Sequence, residues 1–338
     1  MLWKPGGWNL PDRIRLLNLE PEGYSQEART ILKEFAELDE KALPPGELIR
    51  EIGAYHGLIL RLGYRIGKEI LAHKGRLELI GTPTTGLDHI DVAEAQRQGV
   101  RVISLFGESK FLDTVRATAE HTLALILSLL RRIPWAHESV LRGDWKRDLF
   151  RGHELFGKTL GILGLGRLGK QVASYGKALG MEVLAFDVRD DLGAPGVRMV
   201  PRERLFRESH VVSVHVPLCP ETVGLVGKEE LSWMRPEAVL VNTSRGAVVE
   251  EGALLEALEK GAIAGAALDV LCHEPALGSP WQELPALVRY ARKHTNLILT
   301  PHIGGATHES MAKTEIFLAK KVRDYFQGLL QQRAGGRT

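Results

Sequence analysis

The sequence predicts an α/β protein with two doubly wound domains, each built on a parallel β-sheet. Three observations support this fold class. Apolar, strand-like runs alternate with amphipathic helical segments along most of the chain. A glycine-rich turn links one such strand to a helix near the middle of the sequence. The 338 residues also suffice for two hydrophobic cores, at roughly 100 to 200 residues for each domain.

The glycine-rich turn lies within residues 159–187, TLGILGLGRLGKQVASYGKALGMEVLAFD. An apolar strand at residues 160–163 is followed by G-x-G-x-x-G, a helical repeat and a second strand at residues 181–186. Such a unit needs glycine for a tight turn, for close backbone approach to a pyrophosphate and for packing of helix on strand. The helix N-terminus then favours the negative charge of the pyrophosphate. The pattern predicts a dinucleotide-binding unit.

Asp187 closes the second strand of this unit. A carboxylate at this place is expected to accept hydrogen bonds from the adenosine ribose and to repel a 2′-phosphate, which favours NAD over NADP. Arg189, two residues later, leaves the choice of cofactor open. Methyltransferases carry related glycine loops, so binding of S-adenosylmethionine is an alternative interpretation.

The other elements follow in an alternating order. The first hundred residues contain predicted strands at 14–19, 57–60, 77–81 and 100–104, separated by helical segments, and form an α/β layer of their own. Residues 114–132 predict one long apolar helix, ended by Pro134, that must be buried under the fold or against a second subunit. Beyond Asp187, strands are predicted at 211–216, 238–241, 263–268 and 297–299, and a closing helix at 307–330.

The composition indicates a globular protein with a small-molecule partner. The formal net charge is +2 and basic residues are dispersed, which argues against a nucleic-acid or membrane surface. The N-terminus lacks an apolar signal core, and the two cysteines, Cys219 and Cys272, indicate neither a disulfide framework nor a metal cluster. The histidines fit no metal-ligand spacing. We therefore expect a cytoplasmic protein without a metal.

Three polar residues follow predicted strands at the edge where ligands bind in open parallel sheets. They are Arg245, Glu274 and His302. Reduction of a 2-oxo acid requires a group that binds the carboxylate or polarises the ketone, and a proton donor for the oxygen. Guanidinium offers a planar fork for the first task, and imidazole is the natural donor near neutral pH. A carboxylate beside the imidazole would fix its tautomer, so His302 and Glu274 are predicted to form an acid–base pair.

Several segments resemble the D-isomer-specific 2-hydroxyacid dehydrogenases, the family of D-3-phosphoglycerate, D-lactate, glycerate and formate dehydrogenases. These segments are LGILGLGRLGKQVA, NTSRGAVVEEGALLEAL, AGAALDVLCHEP and LTPHIGGAT, with LIGTPTTGLDHIDVAEAQRQGVRV and SVHVPLCPETVGLVG as further matches. The resemblance implies an NAD-dependent oxidoreductase that interconverts a D-2-hydroxy acid and its 2-oxo acid. It implies Arg245 as substrate anchor and Glu274 with His302 as the catalytic dyad.

The resemblance also implies an architecture. A Rossmann cofactor domain, residues 112–301, is inserted into a flavodoxin-like, discontinuous substrate domain of residues 1–111 and 302–338. A homodimer would form through the cofactor domains and give the apolar helix ending at Arg132 a partner. Because the chain ends soon after the closing helix, we expect it to lack the regulatory domain of many phosphoglycerate dehydrogenases.

The family's contacts carry over to individual positions of this chain. Substrate contacts would be Arg61, Thr85 and Gly86 with Arg245, and Leu62 stands where phosphoglycerate enzymes commonly have serine. Asp269 would lie near the nicotinamide carboxamide. The full set of implied cofactor contacts is Gly164, Gly166, Arg167, Leu168, Gly169, Asp187, His215, Val216, Pro217, Thr222, Thr243, Ser244, Asp269, His302 and Gly304.

The alternative to an enzyme is an NAD(H)-sensing binding protein, because some relatives of this kind act as transcriptional corepressors. The Arg245, Glu274 and His302 set favours catalysis. His121, in the apolar helix, is predicted to be a buried core or interface histidine and not a ligand.

Overall fold

The computed structural model describes residues 13–272, 274–275 and 281–335. These residues form two compact units. The first contains the residues up to Leu112 together with those from His308 onward, and the second contains Asp113–Thr307.

The first unit is built on a five-stranded parallel sheet. Its strands are β1 (Arg15–Asn18), β2 (Glu37–Glu40), β3 (Gly57–Ile59), β4 (Leu79–Gly81) and β5 (Arg101–Ile103). They lie in the order β2-β1-β3-β4-β5, which is the flavodoxin-like order. The connecting helices are α1 (Gln26–Lys33), α2 (Pro45–Glu51), α3 (Lys68–Leu71), α4 (Val92–Arg97) and α5 (Ser109–Leu112).

The second unit is built on a seven-stranded parallel sheet. Two helices, α6 (Ala117–Leu130) and α7 (Ile133–Leu141), precede it. The strands and helices then alternate as β6 (Thr159–Leu163), α8 (Arg167–Ala178), β7 (Glu182–Phe186), β8 (Arg198–Met199), α9 (Arg202–Glu208), β9 (Val211–Val214), α10 (Lys228–Trp233), β10 (Val239–Asn242), α11 (Glu251–Glu259), β11 (Gly265–Leu268), α12 (Ala286–Ala291) and β12 (Leu297–Leu299). The spatial order β12-β11-β10-β9-β6-β7-β8 reverses direction between β6 and β9, as in a Rossmann sheet.

Both sheets are covered on both faces. Successive strand residues point to opposite sides of the sheet, so each strand contributes to two cores. In the first unit Leu16 packs with α1 and with α13 (His308–Gly335), whereas Leu17 packs in the core on the other face. In the second unit Ile162 faces α6 and α8, and Leu163 faces the layer that contains α9 to α12. The predicted fold class, two doubly wound domains with the Rossmann unit inserted into a flavodoxin-like one, is confirmed.

The single long helix predicted at residues 114–132 is wrong in its bounds. Helix α6 ends at Leu130 because Arg132 takes a left-handed backbone conformation with φ of 55°. Pro134 then occupies the first turn of α7, where proline is tolerated, and so starts a second helix. The buried side of α6 packs within its own unit, against α8 and the sheet.

Within the described residues, none of the helices combines the length and apolar character needed to cross a membrane. The same part of the chain contains no cluster of three or more His, Cys, Asp or Glu side chains that could hold a metal ion.

Candidate active site

The glycine turn between β6 and α8 has the backbone features that dinucleotide binding requires. Gly164 has a φ of 96°, and an added Cβ would lie 2.9 Å from the backbone of His215. At Gly169 an added Cβ would lie 2.1 Å from the Gly164 carbonyl oxygen, so α8 can approach β6 only without a side chain here. Beside Gly166 the described chain leaves open space, with Nη2 of Arg189 the nearest contact at 3.9 Å. A pyrophosphate could therefore approach the first turn of α8, which contains Arg167 and Leu168.

Asp187 follows β7 and contacts this turn. One carboxylate oxygen accepts a hydrogen bond from the backbone N–H of Leu165 at 2.9 Å, and the other accepts from the backbone and side chain of Arg189 at 3.1 and 3.3 Å. Burial raises the pKa of Asp187, but the hydrogen bonds from Arg189 and Leu165 outweigh burial and hold its pKa below the ordinary value. The group is therefore an anionic acceptor at neutral pH.

A cavity of about 260 Å³ opens beside Asp187. Its lining combines apolar side chains at the ends of β7 and β8 with charged groups: Phe186, Asp187, Arg189, Asp190, Met199, Val200 and Pro201. Such a mixture suits the ring and ribose of a nucleoside.

His215, which follows β9, contributes a buried nitrogen without a partner. Its Nε2 lies 2.8 Å from Oγ of Ser213, whereas Nδ1 is buried and has no hydrogen-bond partner among the described residues. Burial lowers the pKa of His215 to about 4, so the ring is neutral. A buried polar atom without a partner costs free energy unless a ligand satisfies it. The open space at Gly166, the cavity beside Asp187 and this nitrogen all fit a dinucleotide.

Arg245 lies three residues beyond β10, at its carboxyl end. The next residue, Gly246, packs directly on the backbone of the segment that follows β11, where an added Cβ would lie 2.0 Å from the carbonyl carbon of Leu271. Arg245 donates to the carbonyl of Ser244 at 2.8 Å, and its own carbonyl accepts from Asn242 at 2.9 Å. Gly246 therefore holds the loop of Arg245 against the loop that leads to Glu274.

Glu274 and His302 form a direct pair. Nδ1 of His302 lies 2.6 Å from Oε2 of Glu274, and the other carboxylate oxygen accepts from the backbone N–H of Leu271 at 3.1 Å. The contact fixes the ring and leaves Nε2 on its opposite side. His302 is one of two described non-glycine residues with positive φ, at 55°, an uncommon conformation that is enriched at functional sites.

Asp269 anchors the loop that carries His302. Its carboxylate accepts from the backbone N–H groups of Ile303 and Gly304 at 2.9 and 2.8 Å and from the hydroxyl of Thr300 at 2.6 Å. Burial raises the pKa of Asp269, yet the hydrogen bonds from His121 and this loop lower it by more, so the pKa lies below the ordinary value. The buried carboxylate thus stays ionised at neutral pH.

The contact between His121 and Asp269, which helps to hold this loop, was not predicted from the sequence. Its Nε2 lies 3.2 Å from Oδ1 of Asp269 and 3.1 Å from the hydroxyl of Thr300. The prediction of a buried core or interface histidine is compatible with these contacts, although the side chain is 16% exposed. The sequence contains no local signal for the pairing, since 148 residues separate the two partners.

The other predicted cofactor residues of the second unit lie around the same edge of the sheet. Thr243 is buried and joins α6 through a 2.8 Å contact with Thr122, while Ser244 donates to the side chain of Asn242 at 2.7 Å. Thr222 donates to the carbonyl of Pro217 at 2.6 Å and closes the loop after Val216. Their contacts with a cofactor remain predictions.

The predicted substrate residues of the first unit follow two paired strands, β3 and β4. Thr84 donates to the carbonyl of Gly86 at 2.8 Å, and within the described chain no group accepts a hydrogen bond from the backbone N–H of Thr85 or Gly86. The guanidinium of Arg61, in contrast, is paired within its own unit. It lies 3.4 Å from a carboxylate oxygen of Glu315 and 3.6 Å from one of Glu20.

Known proteins resemble the chain both in sequence and in structure. The family model for the D-isomer specific 2-hydroxyacid dehydrogenase NAD binding domain matches residues 123–304, all within the second unit. Glyoxylate reductase of Thermococcus litoralis is 36% identical over 86% of this chain and 86% of its own length. The structure of D-lactate dehydrogenase from Aquifex aeolicus complexed with NAD and lactic acid matches with a TM-score of 0.80 and 30% identity, covering 95% of this chain and 98% of that one.

D-3-phosphoglycerate dehydrogenase of Synechocystis is 37% identical over 92% of this chain. The chain spans only about half of the length of that relative, 54%. The family match over more than half of the chain and the likeness to the glyoxylate reductase over 86% of both chains lead to one conclusion. The protein belongs to the D-isomer-specific 2-hydroxyacid dehydrogenase family.

Proposed function

We propose that the protein is an NAD-dependent dehydrogenase that interconverts a D-2-hydroxy acid and its 2-oxo acid. The observation that carries the proposal is the 2.6 Å contact between His302 and Glu274, made by residues that follow the neighbouring strands β12 and β11. Arg245 follows β10, the next strand of the sheet. Ligands of open α/β sheets bind at this carboxyl edge.

Each of the three residues has a role in the proposed reduction. NADH, when bound, supplies the hydride that reaches C2 of the substrate. Arg245 binds the substrate carboxylate and polarises the 2-oxo group through a charge-assisted hydrogen bond. His302 donates the proton from Nε2 to the oxygen that becomes the hydroxyl, and Glu274 orients the ring. In oxidation His302 accepts the same proton.

The remaining contacts are proposed on the family likeness and on the geometry of each unit. The turn at Gly164, Gly166 and Gly169 binds the pyrophosphate, and Asp187 binds the adenosine ribose. The backbone N–H groups of Thr85 and Gly86 bind the substrate carboxylate.

The two cysteines, Cys219 and Cys272, are both free, which supports the expected cytoplasmic location.

A homodimer is the proposed assembly, through a surface of the second unit. The segment from α7 to β6 exposes several large apolar side chains, with Trp145 86% exposed and Phe156 79% exposed; the others are Ile133, Val140, Leu141 and Leu149. An apolar surface of this kind is typical of a protein interface. Trp145→Glu should shift the protein towards the monomer in sedimentation experiments, while the control Lys260→Glu, at an exposed position outside this segment, should not.

The catalytic proposal is tested by NADH oxidation with a panel of hydroxypyruvate, glyoxylate, pyruvate and larger 2-oxo acids. We expect turnover with at least one of them. Binding of NADH without turnover of any acid would contradict the proposal and favour the NAD(H)-sensing alternative. A thermal shift with S-adenosylmethionine but none with NADH would favour the methyltransferase interpretation.

A further inference from the structure

Arg61 and Glu20 meet at the point where the sheet of the first unit reverses its strand order. In the order β2-β1-β3-β4-β5 this reversal lies between β1 and β3, and an anion would be expected in the crevice beyond their carboxyl ends. Glu20 lies two residues beyond β1, and Arg61 lies two residues beyond β3. The residues at this crevice decide whether it accepts a negatively charged ligand.

The carboxylate of Glu20 occupies the anion position of the crevice. One of its oxygens accepts from the backbone N–H of Arg61 at 2.5 Å, and both lie 3.3 Å from the backbone N–H of Gly63. Backbone N–H groups that converge on one position, as those of Arg61 and Gly63 do, can form a cradle for a phosphate. Here the chain's own carboxylate fills that cradle, and its side chain is only 10% exposed.

The guanidinium of Arg61 is satisfied from several sides by the same unit. Nε lies 3.6 Å from Glu20, and Nη1 lies 3.4 Å from Oε1 of the fully buried Glu315. Nη2 donates to the carbonyl oxygens of Glu20 and Glu22 at 3.1 and 2.9 Å. Because two carboxylates face one guanidinium, the positive charge of Arg61 is balanced before any ligand binds.

The loop after β3 contains one further basic side chain, Arg65, which is exposed to solvent. The loop after β4, residues 82–87, contains no charged side chain and is followed by Asp88. Leu62, next to Arg61, is apolar. A phosphate dianion brought to this edge would face the carboxylate of Glu20 beside a guanidinium that is already paired, and like charges at such short range are strongly unfavourable.

We infer that Glu20 and Arg61 form an internal ion pair that excludes phosphate, so that the substrate is a 2-oxo acid without a phosphate group. Arg61 is then a positioning residue that holds the loops after β1 and β3, in place of the substrate contact implied by the family resemblance. The inference rests on the proposed dehydrogenase function. It separates this chain from the activity named for the phosphoglycerate dehydrogenases that it resembles.

The direct test compares hydroxypyruvate with 3-phosphohydroxypyruvate, which differ only by the phosphate group, in steady-state NADH oxidation by the full chain. We expect kcat/KM for hydroxypyruvate to be higher by at least about tenfold. Equal or higher efficiency with the phosphorylated acid would overturn the inference and leave the dehydrogenase proposal standing. Turnover of no 2-oxo acid at all would overturn both.

A matched pair of variants tests whether Glu20 is the excluding group. Glu20→Gln removes the buried negative charge, and we expect it to raise the efficiency with 3-phosphohydroxypyruvate relative to hydroxypyruvate by at least about threefold. Glu22→Gln, an exposed glutamate of the same loop, should leave that ratio unchanged. An unchanged ratio in a Glu20→Gln protein with cooperative thermal unfolding would contradict the assignment. If that variant does not fold, the comparison of the two substrates with the unmodified protein still decides.

Discussion

His302 and Glu274 share a 2.6 Å hydrogen bond although 28 residues separate them in the chain. His302 follows β12 and Glu274 follows β11, and these strands are paired in the sheet. Glu274 also accepts from the backbone N–H of Leu271, so its carboxylate is held by the backbone as well as by the ring. The pair is therefore a preorganised acid–base unit.

Glu274→Gln should lower kcat by at least about tenfold, because an amide cannot stabilise a positive charge on the ring as a carboxylate does. The dissociation constant of NADH, measured by fluorescence titration, should stay close to that of the unmodified protein. Glu283→Gln is the control, since Glu283 is 91% exposed on the segment that follows. A kcat that stays the same in both variants would remove Glu274 from the mechanism.

Asp187→Ala should increase the kcat/KM ratio of NADPH to NADH, by roughly tenfold or more. The change removes the carboxylate that repels a 2′-phosphate and releases Arg189, which now donates to it. Asp190 lines the same cavity, and Asp190→Ala should change the ratio far less. If the ratio remains fixed in Asp187→Ala, the ribose assignment is wrong.

Gly246→Ala should impair both stability and turnover. An added Cβ would lie 2.0 Å from the backbone of Leu271, so the loops that carry Arg245 and Glu274 must separate, at a cost of about 1 to 3 kcal/mol. Gly252→Ala, within α11 and with open space around the new Cβ, should instead keep or slightly raise stability. Chemical denaturation measures the change in stability, and steady-state kinetics measure the change in kcat. Equal stability and equal kcat in the two variants would contradict the close contact between Gly246 and Leu271.

Asp269→Asn should lower the free energy of unfolding at pH 7 by about 1 to 3 kcal/mol, because an amide nitrogen would face hydrogen-bond donors. The pKa of Asp269 is depressed in the folded state. Its stabilisation is therefore fully present above the ordinary aspartate pKa and is lost as the pH falls through the lower, folded-state value. Denaturation curves at pH 7 and at decreasing pH should show the difference between the two proteins shrinking in acid. A stability difference between the two proteins that grows as the pH falls would contradict a lowered pKa for Asp269 in the folded state.

The chemistry at the sheet edges could be predicted from the sequence, because it depends on local patterns. The glycine spacing at Gly164 to Gly169 and the position of Asp187 after an apolar run are readable without tertiary information. Arg245 and His302 follow strands whose parallel order is set by their alternation with helices. The residues that hold these groups could not be predicted in this way, since Asp269 pairs with His121 across the fold.

Some features of the fold were not predicted from the sequence, for physical reasons. Strand β2, ELDE, has no apolar alternation and forms because its backbone pairs with β1 at the edge of the sheet. The break before α7 depends on the left-handed conformation of Arg132, which the sequence does not encode locally. The ion pair between Arg61 and Glu315 could not be predicted either, because Glu315 lies in the last helix, far from Arg61 in the sequence.

Proton transfer by His302 is tested most directly by His302→Asn, since asparagine tolerates the positive φ at this position better than most residues. Steady-state NADH oxidation with the best 2-oxo acid of the panel should show kcat lower by at least about 100-fold, with NADH affinity nearly unchanged. A variant that turns over at the rate of the unmodified protein would show that His302 does not transfer the proton.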